Sequence, residues 1–397
     1  MNIDIRKDGN SVTLTLAGRL DTSTSAQAAA DIDSALSTVG ADCHLTCEVE
    51  QMNYISSSGL RILLSLAKRY KDFRITEAQP AVYEVLETTG FTKMMPVERA
   101  LRRLSVEGCE VIGVGGVGTV YRLDGDTIIK VFRDGTTLDE VRREITMSKE
   151  AFVLGMPTAI SFDVVRVGER YGLVYELLDA VTLSTCVARQ PERLDEFARK
   201  YAGLFRQMHA IQVPQGSCVP DAIERERQQI LHTRRYFPQE SIDLMLQIVD
   251  AIPRANRLLH LDLQTKNAMV QHDELMLIDM GEVAYGHPML DLGHAYSAMV
   301  SLVGDYERIV GMPRQTGQAL WRRAIDYYLA GLPAGEAAKR RAQIEVISCV
   351  RNFSWLALSD SFPETVIDQC RKLLDERVGR RKDYLLDVCK TFNEWTL

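Results

Sequence analysis

The segment Leu258–Met280 constrains the fold of this chain more than any other part of the sequence. It consists of short apolar runs bounded by polar residues, a pattern typical of buried strands joined by loops. Asp262 and Asn267 lie five positions apart in one loop, and Asp279 follows the next apolar run. A carboxylate and an amide held this way can accept a proton and bind a hard cation. The pattern predicts Asp262 as a base and Asn267 and Asp279 as Mg²⁺ ligands, although Asp279 alone also fits a common turn before glycine.

Four glycines cluster earlier in the chain, between two strand-like runs. They are Gly113, Gly115, Gly116 and Gly118, and Val120 follows them closely. Because glycine has no side chain, it lets the backbone approach phosphate oxygens and adopt positive φ. Glycine-rich hairpin tips also occur without any ligand, so these residues by themselves leave both interpretations open.

A lysine in an apolar strand is the next unusual feature. Lys130 lies within Ile128–Phe132, where burial without a partner would be costly. It could lie at a sheet edge and extend to water, or it could contact the α and β phosphates of ATP and pair with a carboxylate. Glu144 on the following helix is the preferred partner, and Glu140 one turn earlier is the alternative.

Length and composition limit the remaining possibilities. A chain of 397 residues, a quarter of them charged, predicts two or three globular domains. The net charge of −7 disfavours nucleic acid as a partner. Eight dispersed cysteines, a polar N-terminus and the lack of a long apolar run predict a reduced, cytoplasmic location without a membrane span.

The pattern of elements changes once along the chain. Strands and helices alternate over the first hundred residues, which predicts a small α/β domain. The sequence is mainly strand-like after Ser105 and mainly helical beyond Pro191. We therefore predict a first domain at 1–104 and a second at 105–397.

Residues 105–397 resemble the aminoglycoside phosphotransferase and choline kinase branch of the protein-kinase-like fold. The resemblance rests on the glycine cluster, Lys130, Glu144, the His-x-Asp-x-x-x-x-Asn motif at His260–Asn267, and Asp279. It implies a bilobal α+β domain, with an N-lobe at 105–180 and a C-lobe at 181–397. It further implies structural roles for His260 and Asp291, and a hinge at Glu176–Leu178 whose backbone meets adenine.

Two departures from ordinary protein kinases favour the small-molecule branch. Gln264 stands where protein kinases carry a lysine after the catalytic aspartate, and no Ala-Pro-Glu follows Asp279 at the expected distance. The helical stretch Asp221–Ile252 resembles the substrate-binding insertion of that branch.

Residues 1–104 resemble a STAS domain, the fold of anti-sigma-factor antagonists. The matching stretches are Gly18–Asp21, Met52–Arg61 and Val85–Phe91. In that family a serine or threonine just before the glycine can be phosphorylated to switch partner binding, and Ser58 holds that position. Ser56 replaces a frequent aspartate, and the serines also fit a simple helix cap.

Together these features predict an enzyme that transfers the γ-phosphoryl group of ATP to a hydroxyl of a small molecule. Asp262 would deprotonate the hydroxyl, Asn267 and Asp279 would hold Mg²⁺, and Lys130, held by Glu144, would position the phosphates. The STAS domain would regulate this activity through a protein partner. The alternatives are a protein kinase acting on serine, including Ser58, and a nucleotide-sensing binding module.

Overall fold

The computed structural model describes residues 1–302, 304–358 and 363–395. The chain divides into two compact units, Met1–Leu104 and Ser105–Leu397. Among the described residues, no helix combines the length and apolar character needed to cross a membrane.

The first unit is a sheet flanked by helices. The strands of this sheet are β1 (Asn2–Asp8), β2 (Ser11–Leu20), β3 (His44–Glu48), β4 (Met52–Ile55), β5 (Asp72–Ala78) and β6 (Val97–Arg99), and the two-residue strand β7 (Arg102–Arg103) follows outside it. The helices are α1 (Ser25–Ala35), α2 (Ser57–Arg69), α3 (Pro80–Thr88) and α4 (Phe91–Met94). The sheet order is β1-β2-β3-β5-β6, with β4 also paired to β2. The β1–β2 pair is antiparallel, and the pairs from β2 to β6 are parallel. This is the α/β architecture predicted for the first domain.

Register in this sheet aligns the apolar residues of three neighbouring strands. Leu14 pairs with Cys47, and Cys47 pairs with Ile75. All three side chains are fully buried, which explains why Cys47 behaves as a core residue. Gly59, in the first turn of α2, packs so closely on β2 that an added Cβ would lie 2.7 Å from a side-chain carbon of Leu20. The serine-glycine segment is therefore partly a packing requirement.

The second unit begins with an antiparallel sheet and one long helix. Its strands are β8 (Val111–Val114), β9 (Gly118–Arg122), β10 (Thr127–Phe132), β11 (Ser161–Val167) and β12 (Arg170–Glu176), and α5 (Leu138–Val153) connects β10 to β11. These strands lie in the order β11-β12-β10-β9-β8. Thr137 and Glu140 form a capping box that begins α5.

The remainder of the second unit is mainly helical and carries short hairpin strands. The strands are β13 (Val181–Thr182), β14 (Arg257–Leu259), β15 (Ala268–Gln271), β16 (Glu274–Leu277) and β17 (Ala284–Gly286). The helices are α6 (Leu183–Arg189), α7 (Leu194–Ala210), α8 (Ala222–His232), α9 (Gln239–Asp250), α10 (Pro288–Met299), α11 (Tyr306–Val310), α12 (Arg314–Tyr328), α13 (Ala334–Ser354), α14 (Glu364–Arg377) and α15 (Lys382–Cys389). β15 and β16 form a hairpin, and β14 pairs with β17. A mainly β part thus precedes a mainly α part, as the sequence predicted.

A buried histidine begins α10. The Nδ1 atom of His287 accepts a hydrogen bond from the Met289 amide (3.2 Å), and Nε2 donates to the Trp395 carbonyl (3.2 Å). These bonds require the neutral ring with its proton on Nε2. Burial lowers the pKa of His287 from 6.5 to about 4. The folded protein therefore binds fewer protons at this site than the unfolded chain between these two pH values.

We predict that His287→Asn reduces the pH dependence of stability in the acid range. As pH falls from 6.5 to about 4, the unfolded chain gains a proton at His287 that the folded protein does not bind, so wild-type stability falls. Asparagine keeps a capping oxygen but does not titrate. Over this pH range the variant should therefore lose less unfolding free energy than wild type, by up to about 3 kcal/mol. Urea unfolding measures this, followed by the fluorescence of Trp321, Trp355 and Trp395, all in the second unit.

The exposed His272 supplies the control. His272→Asn should keep the wild-type pH profile. Equal slopes for His287→Asn and wild type would show that His287 titrates normally.

Candidate active site

Lys130 is the centre of a charged cluster that joins three elements of the second unit. Its Nζ lies 2.7 Å from Oε1 of Glu144 on α5 and 3.0 Å from Oδ1 of Asp279, which follows β16. Glu140, the alternative partner, instead closes the capping box with Thr137. The structure thus brings together Lys130, Glu144 and Asp279.

Tyr175 belongs to this cluster and was missed in the sequence. Its hydroxyl donates a 2.8 Å hydrogen bond to Oε1 of Glu144, and burial raises the pKa of Tyr175 well above its usual value. An aromatic residue in an apolar strand ordinarily fills a core, so the pattern of β12 gave no signal for a polar role. The Tyr175 hydroxyl and the Lys130 ammonium both donate to Oε1 of Glu144, so two side chains fix this carboxylate.

At Lys130 and Asp279, electrostatic attraction outweighs the cost of burial. Burial by itself would lower the pKa of Lys130, but Asp279 and Glu144 raise it above its usual value. Burial would likewise raise the pKa of Asp279, but Lys130 lowers it. Lys130 is therefore a cation and Asp279 an anion at neutral pH.

The loop between β14 and β15 places Asp262 against Asn267. The Asn267 amide nitrogen donates to both Oδ2 and the backbone oxygen of Asp262, each at 2.8 Å. This orientation leaves the amide oxygen of Asn267 as its remaining ligand atom. Burial, followed by repulsion from Asp279, raises the pKa of Asp262. A raised pKa makes Asp262 a better proton acceptor than an ordinary exposed aspartate.

His260 connects this loop to the strand that carries Asp279. Its ring is fully buried, Nε2 donates to the Ile278 carbonyl (3.2 Å), and Nδ1 accepts from the Asp262 amide (3.3 Å). The ring therefore contacts the backbone directly before Asp279 and at Asp262. This is the structural position expected from the resemblance.

Two residues of the site adopt the left-handed backbone conformation. Leu261 has φ 60° and Asp279 has φ 61°. For a residue with a side chain this costs about 1–2 kcal/mol. The surrounding structure must therefore hold both residues in place.

Asp291, in the first turn of α10, holds Leu261. Its fully buried carboxylate accepts hydrogen bonds from the backbone amides of Leu261 (2.8 Å) and His260 (3.3 Å). His209 Nε2 lies 3.0 Å from the same carboxylate. Although burial opposes ionisation, His209 and the Leu261 amide lower the pKa of Asp291. An ionised carboxylate thus fixes the backbone beside Asp262.

A second buried pair holds the other side of Leu261. His294 Nδ1 donates to the Leu261 carbonyl (2.9 Å), and His294 Nε2 lies 2.9 Å from Oε1 of Glu226 on α8. Arg351 of α13 lies 3.7 Å from the same carboxylate oxygen. Burial opposes ionisation of Glu226, but His294 and Arg351 lower its pKa to about 2. The sequence gave no sign of these contacts, because His294, Glu226 and Arg351 lie on three separate helices.

A cleft of about 340 Å³ lies beside the charged cluster. The residues proposed from the sequence that line it are Gly113, Gly115, Gly116, Gly118, Val120, Lys130, Glu144, Glu176, Leu178, Asn267 and Asp279. Gly118 has a packing role, because an added Cβ would lie 2.3 Å from the Val131 carbonyl oxygen. Gly116 has open space around it, so a close approach of ligand to backbone is possible there.

The hinge offers a limited set of backbone groups to this cleft. The Glu176 amide donates to the backbone carbonyl of Ile160 (3.0 Å), and the Leu177 amide donates to the backbone carbonyl of Asp126 (2.7 Å). Within the part of the chain that the structure describes, the Leu178 amide has no backbone acceptor. Leu178 is therefore the hinge residue whose amide can meet a ligand.

Ser58 lies in a cluster of hydroxyl groups at the start of α2. Its Oγ is 2.7 Å from Ser25 Oγ and 2.8 Å from Ser56 Oγ. Ser56 is the helix cap and accepts from the Gly59 amide. Ser57 is exposed, whereas Ser58 is half-buried.

The second unit thus has a kinase-like fold with a phosphotransferase-type cleft. Residues 109–327 match the phosphotransferase enzyme family, and residues 2–104 match the STAS domain. The chain belongs to the phosphotransferase enzyme family and carries an N-terminal STAS domain, so both resemblances drawn from the sequence are confirmed. No curated protein matches the chain in sequence.

Solved structures with similar folds have low sequence identity to this chain. A choline/ethanolamine kinase family protein from Mesorhizobium loti is 15% identical, covers 71% of this chain and 92% of its own, and has a TM-score of 0.46. Aminoglycoside phosphotransferase APH(2'')-Ib, solved with ADP bound, is 15% identical over 73% of this chain and 96% of its own, with a TM-score of 0.43. An anti-sigma factor antagonist from Mycobacterium paratuberculosis is 17% identical over 24% of this chain and 84% of its own, with a TM-score of 0.23.

We predict that Tyr175→Phe destabilises the second unit by about 1.5–3 kcal/mol, the usual contribution of a hydrogen bond to a charged group. The variant keeps the ring but leaves the buried Glu144 carboxylate without one of its donors. Urea unfolding followed by circular dichroism measures the change. Tyr121→Phe is the control, because the half-buried Tyr121 hydroxyl has no partner among the described residues. Equal stability of the two variants would contradict a role for the Tyr175 hydroxyl.

Proposed function

We propose that this protein is an ATP- and Mg²⁺-dependent phosphotransferase that phosphorylates a hydroxyl of a small molecule. The observation that carries the proposal is the position of Lys130 between Glu144 and Asp279 at a cleft that Asn267 also lines. A buried lysine between two carboxylates, beside a glycine-rich hairpin, is suited to phosphate groups.

In this proposal each end of the cleft binds a different part of ATP. The Leu178 amide and the Glu176 carbonyl meet adenine at the hinge. Lys130 binds the α and β phosphates, and the backbone of Gly115 and Gly116 covers them. Glu144 and Tyr175 keep the Lys130 ammonium in position.

Asn267 and Asp279 fit a magnesium site. They offer an amide oxygen and an ionised carboxylate, which are ligands that a hard cation prefers, and both line the cleft. The described residues contain no group of three or more His, Cys, Asp or Glu side chains that could hold a metal ion. Phosphate oxygens and water would complete the coordination, and Mg²⁺ bound there would neutralise phosphate charge.

Asp262 acts on the acceptor. The acceptor oxygen attacks the γ phosphorus, the bond from that phosphorus to the β–γ bridging oxygen breaks, and ADP leaves. Asp262 orients the hydroxyl and takes its proton, which the raised pKa of Asp262 favours. Its hydrogen bond from Asn267 fixes the carboxylate for this step.

We assign residues 1–104 to the STAS domain and 105–397 to the phosphotransferase domain, with the lobe boundary at 180/181. The STAS domain would bind a protein partner and regulate the enzyme. The division of the chain into compact units at Leu104 and Ser105 supports this assignment.

We predict that Asp262→Asn lowers turnover by about two to four orders of magnitude and leaves nucleotide affinity unchanged. The amide of the variant cannot take the proton of the acceptor hydroxyl, whereas the proposed nucleotide contacts lie in the cleft, whose lining does not include Asp262. Turnover is measured as ADP release with Mg²⁺-ATP and a panel of aminoglycosides, amino alcohols, sugars and nucleosides. Affinity is measured by calorimetry.

Three variants complete this experiment. Lys130→Ala should weaken nucleotide binding, and Asp279→Asn should abolish Mg²⁺-dependent turnover while leaving the fold intact. Asp273→Asn is the control, because the exposed Asp273 pairs with Arg193 and Lys200 and does not line the cleft. Full turnover by a folded Asp279→Asn protein would disprove the metal assignment, and loss of nucleotide binding in Asp262→Asn would disprove the role given to Asp262.

We further propose Ser58 as a regulatory phosphorylation site. A phosphate at the first turn of α2 would lie near unpaired amides and the positive end of the helix dipole. It would also break the hydroxyl cluster with Ser25 and Ser56.

We predict that phosphopeptide mapping after phosphorylation finds Ser58 labelled in wild type and in Ser57→Ala. Label confined to Ser57, or unchanged turnover and partner binding in Ser58→Glu, would exclude the switch.

A further inference from the structure

A second cavity, of about 480 Å³, lies in the helical part of the second unit. It shares no lining residue with the cleft that contains Lys130. Its size is within the range of pockets that hold small molecules. The cavity is therefore a candidate site separate from the phosphotransferase centre.

Three helix faces form this cavity. Gln318, Trp321, Arg322 and Ile325 recur at the spacing of one face of α12, and Ala338, Arg341, Ala342 and Glu345 do the same on α13. Tyr296 of α10 and Val300, the residue that ends this helix, lie four positions apart. The two alanines of α13 leave space where larger residues would close the gap.

The walls are mainly apolar. Val300, Ile325, Ile344 and the two alanines line the cavity together with Trp321. The Trp321 ring plane lies at 90° to that of Tyr296, with centroids 6.1 Å apart. A ligand with a flat apolar body would match this lining.

Most polar side chains of the cavity already have partners. Arg341 pairs with Asp326, Glu345 accepts from Arg381 Nη1 (2.8 Å), and Gln318 Nε2 donates to the Val300 carbonyl (3.3 Å). The charges of Arg341 and Glu345 are therefore compensated. They do not select a ligand.

Three groups that line the cavity have no hydrogen-bond or ion-pair partner in the described parts of the chain. They are the Arg322 guanidinium, the Trp321 indole N–H and the Tyr296 hydroxyl. The Trp321 side chain is only 2% exposed, and among the described residues its N–H has no acceptor. Two of these groups can only donate, the third can donate, and one carries a positive charge. An anionic hydrogen-bond acceptor would complement all three groups.

We propose that this cavity binds a small amphipathic anion, an aromatic body that carries one carboxylate. The ring lies among the apolar residues beside Trp321. The carboxylate accepts from the Trp321 N–H and the Tyr296 hydroxyl and pairs with Arg322.

The test uses ¹⁹F NMR of the full chain labelled with 5-fluorotryptophan. The chain contains three tryptophans, so three resonances are expected, and single replacement by phenylalanine assigns each one. The probe is 2-naphthoate, and 2-naphthalenemethanol is the neutral analogue with the same ring. We expect 2-naphthoate to shift the Trp321 resonance saturably and the alcohol to bind at least about tenfold more weakly.

Two neighbouring arginines provide a matched pair of variants. Arg322→Gln should weaken 2-naphthoate binding by about tenfold, whereas Arg323→Gln should leave it unchanged. Both arginines are exposed on α12, but Arg323 lies 3.6 Å from Asp195 and does not line the cavity. Tryptophan fluorescence during urea unfolding verifies that each variant is folded.

The proposal is overturned if 2-naphthoate causes no saturable shift of the Trp321 resonance. It is also overturned if the acid and the alcohol bind equally, or if Arg322→Gln binds as well as wild type. A shift limited to Trp355 and Trp395 would place the probe elsewhere and would equally exclude this site.

Discussion

The hydrogen bonds from two successive backbone amides to the buried carboxylate of Asp291 are the interaction on which the active site depends. They hold Leu261 in a left-handed conformation that would otherwise cost about 1–2 kcal/mol. Hydrogen bonds to a charged group contribute about 1.5–3 kcal/mol each, enough to outweigh this strain. The backbone turn that these hydrogen bonds fix determines where Asp262 lies. Asn267 and His260 belong to the same loop. His294, held by Glu226, secures the opposite face of Leu261, so the loop is fastened on both sides.

The charges at the cleft form a second constraint. Among the described residues that line the cleft, Lys130 is the one cation, and it contacts two carboxylates, Glu144 and Asp279. The Asp262 carboxylate adds a further negative charge that repels Asp279. Negative groups therefore outnumber the positive one at this end of the cleft. Such an excess favours a divalent cation, which in turn allows polyanionic phosphates to approach carboxylates. Burial raises the pKa of Asp262, and repulsion from Asp279 adds to the rise. Burial acts in the same direction on Asp279, but contact with Lys130 lowers the pKa of Asp279 below its usual value.

Sequence reasoning identified residues whose chemical type is unusual for their surroundings. A lysine in an apolar strand, and carboxylates at the ends of apolar runs, are visible because burial makes such residues costly. It could not identify Tyr175, His294 or Glu226, because an aromatic residue in a strand and polar residues on amphipathic helices are ordinary. It also gave Gly118 a role near phosphate, whereas the close approach of the Val131 carbonyl accounts for this glycine by packing.

The sequence by itself determined the class of each domain, the order of the motifs and the spacing of Asp262, Asn267 and Asp279. These are local properties, set by backbone periodicity and by the cost of placing charge in apolar surroundings. Only the tertiary structure decided that Lys130 pairs with Glu144 while Glu140 caps its helix. Both carboxylates lie on the same helix, one turn apart, so the sequence pattern fits either of them as the partner of Lys130. It alone brought His294 and Asp291 to Leu261, His209 to Asp291, and Trp321 and Arg322 to the cavity beside Tyr296. Such contacts depend on how helices far apart in the chain pack together, and no local pattern encodes that packing.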